Sequence, residues 1–343
     1  LETIFSETHK RRNARSELYG GELVEPFERP SRAEYIVERV RSVRLGPVNP
    51  PDDFGMQPIL AVHDADFVAF LQSVWTEWQA AGFKGEAIPS VWPARRTSTH
   101  IPKHIDGLLG YYALASETSI SDGTWDAAYA SAQVALTGAE RLRQGARSVF
   151  SLCRPPGHHA ALDMYGGYCF LNNAAIAAQH LLDNGAERVA ILDVDFHHGN
   201  GTQDIFYERE DVLFLSLHGD PMDAFPYYLG HADETGKGAG EGFNVNYPLP
   251  PGTDFVTWRK SLQDAIEKVA AYGPEVLIIS LGVDTFETDP ISFFKLKSAD
   301  FITYGADIAA LKLPALFVME GGYDIAEIGV NAVNVLEGFE NGG

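Results

Sequence analysis

Residues 190–202 read Ala-Ile-Leu-Asp-Val-Asp-Phe-His-His-Gly-Asn-Gly-Thr. The apolar, β-branched run over 189–194 predicts a buried strand. Carboxylates and imidazoles then arrive where the strand should end. Residues of a strand alternate faces, so Asp193, Asp195 and His197 share one side if the extended backbone persists to His197. Asp195 and His197 can then grip one ion together. Gly199, Asn200 and Gly201 follow and let the backbone turn away. Taken alone, the stretch reads as a capped strand end whose histidines are satisfied by hydrogen bonds. The rest of the chain overturns that reading.

Outward from this stretch, strand and helix patterns alternate. Strands are predicted over 3–6, 148–152, 188–193, 212–217, 276–281 and 315–319. Helices are predicted over 32–43, with Ser31 as its cap, and over 108–117, 124–145, 170–182, 257–272, 300–311 and 326–336. Residues 60–78 read as a short extended piece followed by a helix. Residues 13–27, 47–58 and 220–247 read as turn-rich connections, with Arg11, Arg12, Glu17 and Glu22 forming a solvated ion network, the favoured reading, or lining something. This alternation predicts an α/β fold, a parallel sheet with helices on both faces and ligands at the carboxyl ends of the strands. No repeat and no second domain is evident, so residues 1–343 read as one domain. An insertion at about 82–107 breaks every periodicity and carries Pro89, Trp92, Pro93, Pro102 and the Arg95–Arg96 pair. A loop of that length inside a compact domain either has a function of its own or is mobile.

Composition narrows the function classes. With 47 acidic residues against 26 Lys and Arg, a net charge of −21 repels nucleic acid and attracts small cations. Cys153 and Cys169 are the only cysteines, so no disulfide framework is implied and a cytoplasmic location is expected. No stretch is apolar enough to span a membrane, and no secretory signal is read in the opening residues.

The polar strand ends assemble into one constellation. Asp195, His197 and Asp284 offer two carboxylates and an imidazole, which suit a borderline divalent ion, Zn²⁺ first, with room left for water and a substrate oxygen. His158 and His159 follow Arg154-Pro155-Pro156-Gly157, where the prolines stiffen the approach and Gly157 permits a turn. One imidazole can act as general base while the second protonates a leaving amine or stabilises charge. Tyr323 follows Gly321-Gly322, and its hydroxyl can donate to an oxyanion.

These segments resemble the arginase–deacetylase superfamily, and within it the histone-deacetylase-like proteins. The resemblance is carried by Arg154-Pro155-Pro156-Gly157-His158-His159, Gly166-Gly167-Tyr168-Cys169-Phe170 with Asn172-Asn173, residues 193–202, Gly282-Val283-Asp284 and Gly321-Gly322-Tyr323. Phe5-Ser6, Tyr19-Gly20-Gly21-Glu22-Leu23, Gly82-Phe83-Lys84-Gly85-Glu86-Ala87 and the loop that follows resemble the acetylpolyamine amidohydrolase branch.

The resemblance implies a central, mostly parallel eight-stranded sheet and zinc-dependent hydrolysis of acetylated polyamines, with acetyl-lysine proteins or peptides as the alternative substrate. It implies that Asp195, His197 and Asp284 hold the zinc, that His159 is the general base with His158 its electrostatic partner, and that Tyr323 polarises the carbonyl. It also implies that Asp193 backs His158 and touches a structural potassium ion, with a second potassium beyond Phe206. Behind His159 many relatives place Asp; here Asn200 supplies less negative charge, so the imidazole is less basic. Glu17, Asp106, Glu117 and Tyr168 are the expected substrate-binding residues. The apolar insertion either closes over its own site or packs on a neighbour, and the resemblance implies the second, a homodimer that builds part of the entrance.

Overall fold

The computed structural model of the chain describes residues 1–94 and 99–342. Arg95 and Arg96 lie outside the described residues. Eight strands form one sheet, in the order Val48–Asn49, Glu2–Ile4, Ser148–Ser151, Ala315–Met319, Val276–Leu281, Val189–Asp193, Val212–Gly219, Asn244–Leu249. Every neighbouring pair is parallel. Val189–Asp193 therefore runs inside the sheet, with Asp193 level with Ser216 on one side and Ser280 on the other.

The inner strands are buried at every position, which explains their unbroken apolar sequences. Alternate residues feed two separate cores. Ile191, Ile278 and Leu316 face helices Thr124–Arg143 and Asn173–Asp183, while Leu192, Ile279 and Phe317 face Ser31–Val43, Phe255–Tyr272, Ser298–Ala309 and Ile328–Gly342. Each such side chain contributes about 1.5–3 kcal/mol by leaving water. The Ala-rich helix approaches closely at Gly138, where a Cβ would lie 2.3 Å from Ser151 Oγ and 2.5 Å from Leu316 Cδ1.

The structure differs from the sequence reading in several places. Two edge strands fall in regions read as connections. Val48–Asn49 has only two residues, and Asn244–Leu249 carries two asparagines and Pro248, so neither shows a strand pattern. The piece read as extended from residue 60 is instead the end of a helical turn, Gln57–Leu60, and a turn and bend over 61–63, and Ala65–Ala80 is the helix that follows. Ser31 is the first helical residue; Pro30 holds the cap position without a side-chain hydrogen bond. Glu17–Tyr19 and Glu22–Val24 pair as an antiparallel hairpin. Within the expected ion network, Arg12 and Glu17 are buried, not solvated.

The insertion packs partly on its own chain. Ala87 and Ile120 exchange both backbone hydrogen bonds at 2.8 and 2.9 Å. The Trp92 indole donates to Ala113 O at 2.9 Å. The next helix, Ile105–Tyr112, starts within the range read as loop. Val91, Trp92 and Ile101 remain exposed. Among the described residues no helix is long and apolar enough to cross a membrane.

Candidate active site

The site is built at the carboxyl ends of four adjacent strands. Beyond Asp193 the regular strand stops, yet Asp195 and His197 still converge, because backbone amides of neighbouring segments hold the carboxylates. Asp195 Oδ2 accepts the Gly321 amide at 2.7 Å and its Oδ1 accepts the His197 amide at 2.9 Å. Asp284 Oδ1 accepts the Phe196 amide at 2.8 Å. Two glycines clear the space: a Cβ on Gly282 would lie 2.0 Å from Asp195 Oδ2, and one on Gly321 would lie 2.5 Å from Asp284 Oδ2.

Asp195, His197 and Asp284 bring one ligand atom each to within 4.8 Å of one another, all buried. His197 Nδ1 stands 3.0 Å from Asp284 Oδ2 and 3.4 Å from Asp195 Oδ1. Bonds of about 2.0–2.1 Å in a tetrahedron give ligand edges of roughly 3.3 Å, so the donor set fits Zn²⁺. Its charge points the same way. Burial and the neighbouring Asp195 push the Asp284 carboxyl up to about 6. Burial opposes charge on His197, but Asp195 and Asp284 overcome it and raise its pKa to about 10. The two buried carboxylates thus favour positive charge at this spot, a proton on His197 or an ion that displaces it.

A second cluster, His158, Cys169 and Glu320, is equally close-knit but fits a metal poorly. Burial and Glu320 push the Cys169 thiol well above its usual range, and its sulfur already donates to Gly167 O at 3.3 Å. Glu320 Oε2 instead accepts the Gly157 and His158 amides at 2.7 and 3.1 Å, which fixes the tandem-histidine loop.

The two histidines have different partners. His158 Nδ1 meets Asp193 Oδ2 at 3.0 Å; burial opposes its charge, but Asp195 and Asp193 raise its pKa to about 10. His159 Nδ1 donates to Asn200 Oδ1 at 2.7 Å, an orientation set by Asn200 Nδ2 donating to His159 O at 3.3 Å. The remaining nitrogen, Nε2, is then a free acceptor. Burial and the charges of His158 and His197 push the His159 pKa well down, so this imidazole is neutral. The glycines beside these histidines serve space rather than turning. Gly199 has φ −73°, and a Cβ there would lie 2.2 Å from Asp193 Oδ2. A Cβ on Gly157 would meet the Asn173 amide at 2.4 Å. Gly322, at φ +121°, does need glycine to place Tyr323.

A cavity of about 470 Å³ opens onto His159, His197 and Tyr323. One wall carries Glu17, Glu117 and Tyr168, another Asp223, Phe225 and Tyr227, and a third runs from Pro290 to Phe293. The Phe225 ring meets His159 edge-on at 5.1 Å, and Tyr168 meets Tyr323 at 5.6 Å. Glu17 accepts from the Tyr168 hydroxyl at 2.9 Å and from the Phe27 amide at 3.1 Å. Glu117 Oε1 accepts from Gly167 N at 2.7 Å and Thr118 Oγ1 at 2.8 Å. Asp106 does not line this cavity; its carboxylate accepts from Ser90 Oγ at 3.4 Å and its amide donates to His104 Nδ1 at 3.2 Å.

Sequence reasoning did not single out three residues that hold Tyr323. Arg32 is buried, lies 4.7 Å over the Tyr323 ring and donates to Gly322 O and Glu320 O, each at 2.6 Å. Asp289 Oδ2 accepts the Tyr323 amide at 2.7 Å, and its Oδ1 accepts the Ile291 amide at 3.1 Å. Glu28 is the third, pairing with Arg32 at 3.1 Å and Arg154 at 2.7 Å. Arg32 had a readable signal, because it shares a helix face with Ile36 and Val40, the buried face.

Comparison with known proteins identifies the family and the fold. The model of the histone deacetylase domain matches residues 26–339. The chain is 59% identical over 338 residues to an acetylpolyamine amidohydrolase of Mycoplana ramosa, covering 98% of this chain and 99% of that one. It is 57% identical to acetylpolyamine amidohydrolase 2 of Pseudomonas aeruginosa, covering 98% of each. The crystal structure of an acetylpolyamine aminohydrolase from Burkholderia pseudomallei superposes with a TM-score of 0.95 at 39% identity, covering 100% of this chain and 99% of that one. With the domain matched over most of its length and its strand ends carrying one buried polar site, the chain belongs to the histone deacetylase domain family.

Proposed function

We propose that the chain hydrolyses the acetyl amide of acetylated polyamines to acetate and free amine. The observation that carries this reading is the cavity in which His159, His197 and Tyr323 share one space with Glu17 and Glu117. Asp195, His197 and Asp284 would hold a divalent ion, Zn²⁺ first, and a bound ion supplies a Lewis acid for the carbonyl and a lower pKa for the attacking water. Neutral His159 takes the water's proton at Nε2, with Asn200 fixing the tautomer. Tyr323 donates its hydroxyl to the developing oxyanion. His158, kept charged by Asp195 and Asp193, stabilises that negative charge, and a histidine returns a proton to the leaving amine. Potassium beside Asp193 belongs to the same reading. Each Asp193 oxygen accepts one hydrogen bond, from Asp195 N at 3.1 Å and His158 at 3.0 Å, and keeps a lone pair for an ion. A cytoplasmic location fits two cysteines that are buried and free.

Kinetics with acetylated putrescine, cadaverine and spermidine beside an acetyl-lysine peptide test the substrate class. The acetylpolyamines are expected to show the higher kcat/KM; a preference for the peptide overturns the reading in favour of a protein deacetylase.

The deep acidic wall makes recognition pH-dependent. Burial raises the Glu17 pKa to about 7, against hydrogen bonds from Phe27 N and Tyr168 that favour the charged form. Above that pH the carboxylate attracts an ammonium; as pH falls through it, protonation removes the attraction. The kcat/KM of a cationic acetylamide relative to a neutral one of equal length should therefore fall from about pH 8 to about pH 6. Glu17→Gln should flatten this ratio, and an unchanged slope in that variant assigns the titration elsewhere.

The insertion at 82–107, with Val91, Trp92 and Ile101 exposed, is the proposed contact of a homodimer. Asp106, absent from the lining of its own chain's cavity, then contributes to an entrance through a second copy. Light scattering at micromolar concentration should give twice the chain mass; a monomer rules out this role for Asp106.

A further inference from the structure

The mouth of the cavity carries a carboxylate whose setting differs from that of the deeper acids. Asp223 is exposed and lines the cavity together with Tyr227, which is 54% exposed. Its backbone is fixed. Asp220 O accepts the Asp223 and Ala224 amides at 2.8 and 2.9 Å, and Asp220 Oδ1 accepts the Met222 amide at 2.9 Å. Two residues on, Phe225 packs against His159 and His197. The position of Asp223 relative to the reacting centre is thereby set by a turn and an aromatic contact.

Its carboxylate, in contrast, accepts no hydrogen bond and enters no ion pair among the described residues. Glu17 uses both oxygens on Tyr168 and Phe27, and Glu117 receives two donors on one oxygen. Glu17 is 1% exposed whereas Asp223 is exposed, so the lining carries a buried acid and an acid open to solvent. A positioned but uncommitted carboxylate beside an exposed aromatic ring is suited to an ammonium that arrives from solvent.

We propose that Asp223, with Tyr227 beside it, reads the second ammonium of longer acetylated polyamines and so sets the preference between triamine and diamine substrates. This rests on the acetylpolyamine reading above. The deep acids serve the ammonium nearer the acetyl group, which every acetylated diamine possesses. The mouth acid is reached only by a chain with a further amine.

The test compares kcat/KM for acetylspermidine, with two ammonium groups, and acetylputrescine, with one, in the metal-loaded enzyme. Asp223→Asn should lower the ratio of triamine to diamine about fivefold, mainly through KM, the scale of one exposed charge pair. Asp223→Lys should lower it further by adding repulsion, and rising salt should shrink the wild-type ratio toward that of Asp223→Asn. A ratio unchanged within about twofold in both variants overturns the assignment to Asp223 while leaving the acetylpolyamine reading in place. Failure of the wild-type enzyme to hydrolyse either substrate overturns both.

Discussion

Replacing Asp284 by alanine is expected to abolish metal retention and amide hydrolysis together. The variant keeps Asp195 and His197, two donors where the proposed site has three. Loss of the ion removes several kcal/mol of transition-state charge stabilisation, which lowers kcat by at least about 10³. The stability effect separates this from simple unfolding. Asp284 accepts the buried Phe196 amide at 2.8 Å, and orphaning that donor costs about 1–3 kcal/mol. Removing Asp284 also relieves its repulsion with Asp195 but gives up its 3.0 Å pairing with His197. The metal-free variant should therefore still fold and melt a few degrees below the metal-free wild type. Added zinc should raise the Tm of the wild type, by about 2.7 kcal/mol of stability at a hundredfold excess over Kd, and leave Asp284→Ala unmoved. Elemental analysis and thermal melts read both effects, and full zinc occupancy in the variant removes Asp284 from the ligand set.

Tyr323→Phe should lower kcat about 10²–10³ while leaving metal content intact, the scale of one lost oxyanion donor. The ring itself should stay in place, since its position depends on Arg32, on the Asp289 hydrogen bond to its amide and on Tyr168, none of which needs the hydroxyl. KM should change little, because the lost hydrogen bond belongs to the transition state. His159→Ala should be at least as damaging, since proton transfer is lost with the imidazole. A fall of less than about threefold for Tyr323→Phe means that the carbonyl is polarised without this hydroxyl. Near-normal rates for His159→Ala at neutral pH remove the general base.

The sheet and the reacting groups were legible for a common reason. Strands buried on both faces, such as Val276–Leu281 and Ala315–Met319, must be apolar throughout, so a sudden Asp284 or Tyr323 at their ends stands out. The edge strand Asn244–Leu249 escaped notice because its asparagines face a polar network: Asn244 and Asn246 both donate to Gln203 Oε1, at 2.9 and 2.8 Å. The supports of the site were largely hidden, because their roles arise from distant contacts. Arg32 grips a turn 288–290 residues away, and Asp289 holds an amide 34 residues on. Nothing near Asp289 in sequence marks it as a partner of Tyr323. Asp223 and Phe225 sit in a region that reads only as connection. Their place on the cavity wall follows from the turn anchored by Asp220. The glycines of the motifs were found, but for the wrong reason at Gly157 and Gly199: the constraint is the space their neighbours occupy.

The most direct test of a metal-assisted deacetylase is the release of acetate and free amine from acetylspermidine by wild-type enzyme. It should be measured as purified, after chelation and after zinc is restored. One acetate per free amine is expected, with loss of turnover on chelation and its recovery with about one zinc per chain. Turnover that persists undiminished in fully metal-stripped protein would contradict it.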